Sequence, residues 1–263
     1  MKQAMPDTDT PLLEARGLTV DAGRRRLVAN LDLALWPGET LAVLGPNGVG
    51  KTLTLQTFAG LRKPTGGEVY VGGRPLRAWP RRALARRLGL LPQGTEDPFP
   101  ATVMEEALIG RHPHLGFWQW ESPDDLAIAR QALTDVDLAG LEERLLDTLS
   151  GGERRRLAVA TLLVQNPQVW LVDEPTNHLD PQHRFGVMQL LAARARDGRA
   201  VVVTLHDVNL AAGWCKRCLL LFGDGSWEIG AADEVLTEDA ISRLYHMDVR
   251  RVEFEGRGLF LPM

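Results

Sequence analysis

Eight consecutive residues, Gly45, Pro46, Asn47, Gly48, Val49, Gly50, Lys51 and Thr52, follow the pattern G-x-x-x-x-G-K-[ST]. Its three glycines let the backbone wrap closely around a polyphosphate, so that N–H groups and a helix N-terminus point at negative oxygens. Lys51 can add a full charge at the terminal phosphates, and the Thr52 hydroxyl is placed to ligate Mg²⁺. Such a loop needs a strand before it and a helix after it. Thr40 to Leu44 is an apolar run of strand length, and Lys51 to Phe58 reads as a helix stopped by Gly60 and Pro64. A glycine-rich turn that merely happens to carry a lysine would require neither flank.

Phosphate binding alone does not separate a kinase, a GTPase and a motor, so a second acidic site must decide. Val169-Trp170-Leu171-Val172-Asp173-Glu174 is an apolar strand ending in two carboxylates, at the strand mouth where open α/β sheets bind ligands. Asp173 would hold Mg²⁺ through water and Glu174 would polarise the attacking water. In isolation the pair could be a solvated acidic turn; the phosphate loop upstream tells against that. A third segment, Leu149-Ser150-Gly151-Gly152-Glu153, carries an S-x-x-E capping box ahead of a helix with Leu157, Ala160, Thr161 and Val164 on one face. Capping explains Ser150 and Glu153. It does not require Gly151 and Gly152, whose missing side chains leave the helix start open to an anion.

The elements that must position these residues read as follows. Leu12 to Val20, then Leu31, Leu33 and Leu35 in alternation up to Trp36-Pro37-Gly38, predict an antiparallel pair. Glu68 to Val71 and Leu88 to Leu91 are short strands. From Thr102 to Gln165 apolar residues recur at helical intervals, broken only by loop signals at His112-Pro113 and Ser122-Pro123. Val169 to Val172, Ala200 to Thr204 and Cys218 to Phe222 are unbroken apolar runs separated by helical stretches, the mark of a parallel sheet buried on both faces. Ala231 to Met263 reads as one helix plus a weak hairpin.

Composition bounds the answer. At 263 residues, 44% hydrophobic and 24% charged, with 26 Gly and 16 Pro in no fixed period, the chain is neither fibrous nor disordered. Its 30 Lys+Arg against 34 Asp+Glu give a net charge of −4, no footprint for wrapping nucleic acid or coating an anionic membrane. No stretch reaches the ~20 apolar residues that span a bilayer, and Met1 to Thr10 lacks the apolar core of a signal peptide, so a cytosolic chain is expected. Cys215 and Cys218 mimic a redox motif in Trp214-Cys215-Lys216-Arg217-Cys218, but their place between a helix and a strand favours ordinary buried thiols. Asn177-His178-Leu179-Asp180 follows Glu174 too closely for a guanine-reading N-K-x-D. His112 and His114 flank Pro113 in what reads as a surface turn. The clusters Arg24–Arg26, Arg81-Arg82, Arg86-Arg87 and Arg154–Arg156 read as solvated faces.

Taken together, the phosphate loop, the Asp173-Glu174 strand end and Leu149-Ser150-Gly151-Gly152-Glu153 resemble the ATP-binding subunits of ABC transporters. Gln93 after Pro92 resembles the Q-loop glutamine that approaches Mg²⁺, Leu179-Asp180 the D-loop, and His206 the switch histidine near the γ-phosphate. The resemblance implies an α/β fold: a P-loop NTPase (RecA-like) core with a mostly parallel sheet, an N-terminal antiparallel β portion and an inserted α-helical subdomain. It implies one ATPase domain over residues 11–230, with core segments 11–92 and 166–230, an insertion at 93–165, and a C-terminal extension at 231–263. It further implies ATP and Mg²⁺ as cofactors, catalytic roles for Glu174, His206 and Lys51, and metal contacts from Thr52, Gln93 and Asp173. Two copies would pack head to tail, each placing Leu149 to Glu153 against the other's ATP.

The family's adenine-stacking aromatic has no counterpart near Ala22; stacking is either weak or supplied by another residue, such as Arg24 or Arg26. Leu90-Leu91-Pro92-Gln93 with Ile109-Gly110-Arg111-His112-Pro113-His114 is similar to bacterial importer ATPases for iron siderophores, haem and cobalamin. That implies a peripheral position on the cytoplasmic membrane face, transmembrane permease subunits, an extracytoplasmic binding protein and no nucleic acid. Phe99-Pro100-Ala101-Thr102-Val103-Met104 and Phe117-Trp118-Gln119-Trp120 could anchor a permease or pack internally. The competing class, a soluble ABC ATPase acting on DNA or ribosomes, usually has a coiled-coil insertion or two cassettes, and neither is present.

Overall fold

The computed structural model describes residues 10–94, 100–254 and 257–263. In chain order it begins with β1 (Leu13–Ala22), β2 (Arg25–Leu35), β3 (Thr40–Leu44), α1 (Lys51–Phe58), β4 (Gly66–Val71) and β5 (Arg74–Pro75). There follow α2 (Arg81–Ala85), β6 (Leu88–Leu91), α3 (Val103–Ile109), α4 (Pro123–Asp135), α5 (Gly151–Gln165), β7 (Val169–Asp173), α6 (Pro181–Arg196) and β8 (Ala200–Thr204). The chain closes with α7 (Val208–Trp214), β9 (Arg217–Leu221), β10 (Trp227–Ala231), α8 (Ala232–Val235), α9 (Glu238–Tyr245), β11 (Val249–Phe254) and β12 (Arg257–Pro262).

One sheet has strand order β10-β9-β3-β8-β7-β6, in which β9, β3, β8, β7 and β6 run parallel and β10 closes the edge antiparallel to β9. A second, antiparallel sheet has the order β2-β1-β4-β5. The parallel strands are apolar throughout because both faces are buried, and their alternate residues feed two different cores. Ala42, Leu44, Trp170, Val172, Val201 and Val203 face a core shared with α3, α4 and α5. Leu41, Val43, Val169, Leu171, Ala200 and Val202 face the antiparallel sheet and α1. Each such buried Leu, Val or Trp stabilises the fold by roughly 1.5–3 kcal/mol relative to exposure.

Three sequence expectations need correction. The segment between α4 and α5 is not helical apart from a single 3₁₀ turn at Leu146–Thr148; Asp137 and Gly140 take left-handed φ of 56° and 84° and break the run. The tail has two helices, α8 and α9, rather than one, before the β11–β12 hairpin. Arg155 is not solvated: it is only 6% exposed, on the same face of α5 as Ala158, Val159 and Leu162. Val103 and Met104 are buried in the core and unavailable to a partner, while Phe99 lies outside the described residues. Cys215 and Cys218 are buried free thiols, both pushed up by burial, Cys218 to about 12.

Candidate active site

The parallel order places three chain segments side by side at the C-terminal ends of β3, β8 and β7. The phosphate loop leaves β3, Glu174 follows β7, and His206 follows β8, the strand between them. Thr204 ends β8 in register with Val43 on one side and Asp173 on the other. Its buried hydroxyl donates to Asp173 Oδ1 at 2.5 Å and accepts from the Glu174 N–H at 2.8 Å, so one side chain holds the Asp173 carboxylate and the backbone of Glu174.

Within the loop, Gly45 has φ 151° and a Cβ there would meet the Leu221 carbonyl oxygen at 2.6 Å. Gly50 has φ 113°, and a Cβ would press on Leu27 at 2.9 Å. Both positions require glycine for conformation and for space. Gly50 is also the N-cap of α1, with no side-chain cap, so the helix start is left without a protein acceptor from its cap residue. The Lys51 ammonium reaches back to the carbonyls of Gly45 (2.8 Å) and Pro46 (3.2 Å). Burial draws its pKa below the usual lysine value, while the charges of Glu174 and Asp173 oppose that shift.

Glu174 is only 5% exposed and holds a left-handed φ of 49°, a strained backbone for a non-glycine residue. Its Oε1 pairs with His206 Nε2 at 2.5 Å, and its Oε2 accepts from Gln93 Nε2 at 2.7 Å and Asn177 Nδ2 at 2.5 Å. These residues line a cavity of about 610 Å³ with Asn47, Gly48, Lys51 and Thr52. A smaller cavity of about 210 Å³ brings together Thr52, Gln93 and Asp173. A hydroxyl, an amide and a carboxylate supply the hard oxygen donors that suit Mg²⁺, which also keeps waters and phosphate oxygens as ligands.

Other predicted residues lie elsewhere. Ser150 caps α5 in a full capping box: its Oγ accepts from Glu153 N at 3.2 Å and Glu153 Oε2 accepts from Ser150 N at 2.7 Å. Leu149 is buried beneath it, Ser150 and Gly151 are exposed, and none of residues 149–153 lines the phosphate-loop cavity. Asp180 caps α6, accepting from His183 N at 3.0 Å. Three contributors escaped the sequence reading: Asn177, Thr204 and Arg155. The Arg155 guanidinium donates to the carbonyls of Pro92 (2.5 Å), Gln93 (3.4 Å) and Asp173, tying the ends of β6 and β7 together under the site. Thr204 had a signal in the sequence, as the polar residue that ends an otherwise apolar strand.

A phosphate loop, a strained carboxylate facing it, and a histidine on that carboxylate fit transfer of a phosphoryl group to water. The family model for ABC transporters matches residues 28–177. This chain belongs to the ABC transporter family. It is 41% identical over 251 residues to the hemin import ATP-binding protein HmuV of Myxococcus xanthus, covering 93% of each. To the achromobactin transport ATP-binding protein CbrD of Dickeya dadantii it is 34% identical, covering 91% of this chain and 90% of that one. Among solved structures it is similar to an inward-facing ABC transporter assigned to the metal-chelate type, with a TM-score of 0.83 and 27% identity over 96% of this chain and 98% of the other. As an ABC ATPase, the chain binds ATP and couples its hydrolysis to transport.

Proposed function

We propose that this chain powers uptake of an iron chelate, haem or a siderophore, as the ATP-hydrolysing subunit of a membrane importer. The observation that carries the reading is its end-to-end similarity to a protein named for hemin import. Residues 11–92 and 166–230 form the ATPase core, 93–165 the inserted helical subdomain and 231–263 an extension. Two copies close head to tail on two ATP molecules. Each nucleotide lies between Gly45–Thr52 of one copy and Ser150–Gly152 of the other, in keeping with a cavity that lacks residues 149–153 of its own chain.

Thr52, Gln93 and Asp173 would hold Mg²⁺, which would supply neutralisation of phosphate charge. Glu174 takes a proton from the attacking water, and its carboxylate is aimed by Gln93, Asn177 and His206. Lys51 leaves the carbonyls of Gly45 and Pro46 for phosphate oxygens, and His206 steadies charge on the transferring group. As an importer subunit the chain works from the cytoplasmic face against permease subunits; among the described residues no helix is long and apolar enough to cross a membrane. Phe117, Trp118 and Trp120, exposed by 83%, 93% and 86%, offer the aromatic anchors for that contact. An extracytoplasmic binding protein delivers the chelate to the permease.

The test is to isolate the native membrane complex and measure ATP hydrolysis with the binding protein loaded with haem, a ferric siderophore or cobalamin. Stimulation by haem or the siderophore is expected. Co-purification with ribosomes or DNA and without a permease would overturn the transport reading, and stimulation by cobalamin alone would overturn the choice of chelate.

A further inference from the structure

The C-terminal segment has no part in the mechanism above, yet it touches the switch histidine and the helix that follows it. Tyr245, the last residue of α9, places its hydroxyl 3.4 Å from the His206 carbonyl oxygen. Three residues beyond His206, Asn209 on α7 grips β12: the Phe260 N–H donates to Asn209 Oδ1 at 2.7 Å, and Asn209 Nδ2 donates to the Phe260 carbonyl at 3.1 Å. The amide thus satisfies one backbone residue of the hairpin as a neighbouring strand would.

The frame behind Tyr245 is firm. Thr237 caps α9 by accepting from Ala240 N at 3.1 Å, and Ala240, Ile241 and Leu244 are buried in the same core as Val208 and Ala211 of α7. Burial, with the Asp207 charge adding to it and the Gly45 N–H opposing it, pushes the Tyr245 hydroxyl up to about 12. It therefore remains a protonated donor throughout the neutral range. The His206 ring, by contrast, is 38% exposed, and its Nε2 pairs with Glu174. The position of that imidazole depends on the backbone that carries it, which Tyr245 holds at the His206 carbonyl and which leads directly into α7.

We infer that Tyr245 is a positioning residue for ATP hydrolysis, its hydroxyl holding the backbone of His206 so that the imidazole stays on Glu174. The extension at 231–263 then sets the geometry of the switch loop from outside the nucleotide site. The inference rests on the role given to His206 under the proposed function.

The experiment compares four full-length chains in the assembled transporter: unchanged, Tyr245→Phe, His206→Ala and the double variant. Loss of one hydrogen bond to a positioned backbone predicts a roughly fivefold lower kcat in Tyr245→Phe, with KM for ATP within about twofold. In the His206→Ala background the same change should alter the residual rate less than about twofold, because the ring it aims is gone. An unchanged kcat in Tyr245→Phe overturns the inference, whether or not the melting temperature falls. So does an equal fold-loss in both backgrounds, which would assign the hydroxyl to stability alone. A His206→Ala chain that hydrolyses ATP at the full rate would instead remove the histidine's role, and is read separately from the tyrosine result.

Discussion

Two helix starts in this chain are both suited to phosphate, and they are built in opposite ways. The start of α1 has a left-handed glycine as its N-cap, no side-chain cap and no acidic residue in its first turn. The start of α5 has Ser150 and Glu153 closing a reciprocal capping box, with an acidic residue in the first turn. Ser150's backbone and hydroxyl, then Arg144, hold the Glu153 carboxyl below the usual glutamate range, and that carboxylate is spoken for by these donors. The first helix keeps its cap position empty for an anion that its own loop wraps. The second satisfies part of its end by itself, so it stays formed while exposed; in the proposed head-to-tail pair only the Gly151 and Gly152 region would meet the other copy's nucleotide.

The largest effect should come from uncoupling the two ends. Glu174→Gln keeps the size and most hydrogen bonds of the side chain but cannot take a proton from water. Hydrolysis should fall by about 10³-fold or more while nucleotide stays bound and closed dimers accumulate, measured by steady-state rate and by gel filtration with ATP. Normal turnover would remove Glu174 from its role. Next in size, Lys51→Ala should weaken ATP binding by about 10²-fold, measured on the single chain by calorimetry, because a charge aimed at phosphate is lost. Unchanged affinity would count against the phosphate loop.

Ser150→Ala sharpens the contrast between the two ends. It opens the capping box of α5 without touching the phosphate-loop cavity. Stability should fall by about 1 kcal/mol and hydrolysis by the dimer should drop, while ATP affinity of the single chain stays the same. A matching loss of affinity in the single chain would mean that α5 contacts its own chain's nucleotide, and the head-to-tail arrangement would fail.

How much of this was legible in the sequence depended on whether a residue's role is set along the chain or across it. The phosphate loop, the Asp173-Glu174 strand end and the α5 capping box are local patterns, and each lies on the element expected of it. Arg155 was not legible as one of three consecutive arginines, because burial depends on which helix face meets β6 and β7. Its spacing from Ala158, Val159 and Leu162 held that signal. Thr204 and Asn177 act on Glu174 across 30 and 3 positions respectively. The first depends on strand order, which no local pattern encodes. β10 was missed although the Gly223-Asp224-Gly225 turn before it, with both glycines at positive φ, is a hairpin signal.

The smallest predicted effect isolates capping from function. Like α5, α4 begins with a reciprocal box, here Ser122 and Asp125, but none of its residues lines the nucleotide cavity. The Ser122 backbone and hydroxyl, then Arg111 at 2.6 Å, hold the Asp125 carboxyl at about 2, below its ordinary 3.8. A carboxyl depressed in the folded state stabilises above its unfolded value and loses that contribution as pH falls through the folded one. Asp125→Ala should therefore cost about 1–2 kcal/mol in urea unfolding at pH 7. The gap from the unchanged chain should hold steady down to about pH 5 and narrow from about pH 4 toward 2. ATP affinity and hydrolysis at a temperature where both chains are folded should not change. A loss of hydrolysis in Asp125→Ala as large as that in Ser150→Ala would show that any frayed helix start in the insertion disables the enzyme, and the distinction between a cap that merely holds a helix and one that also presents it to ATP would collapse.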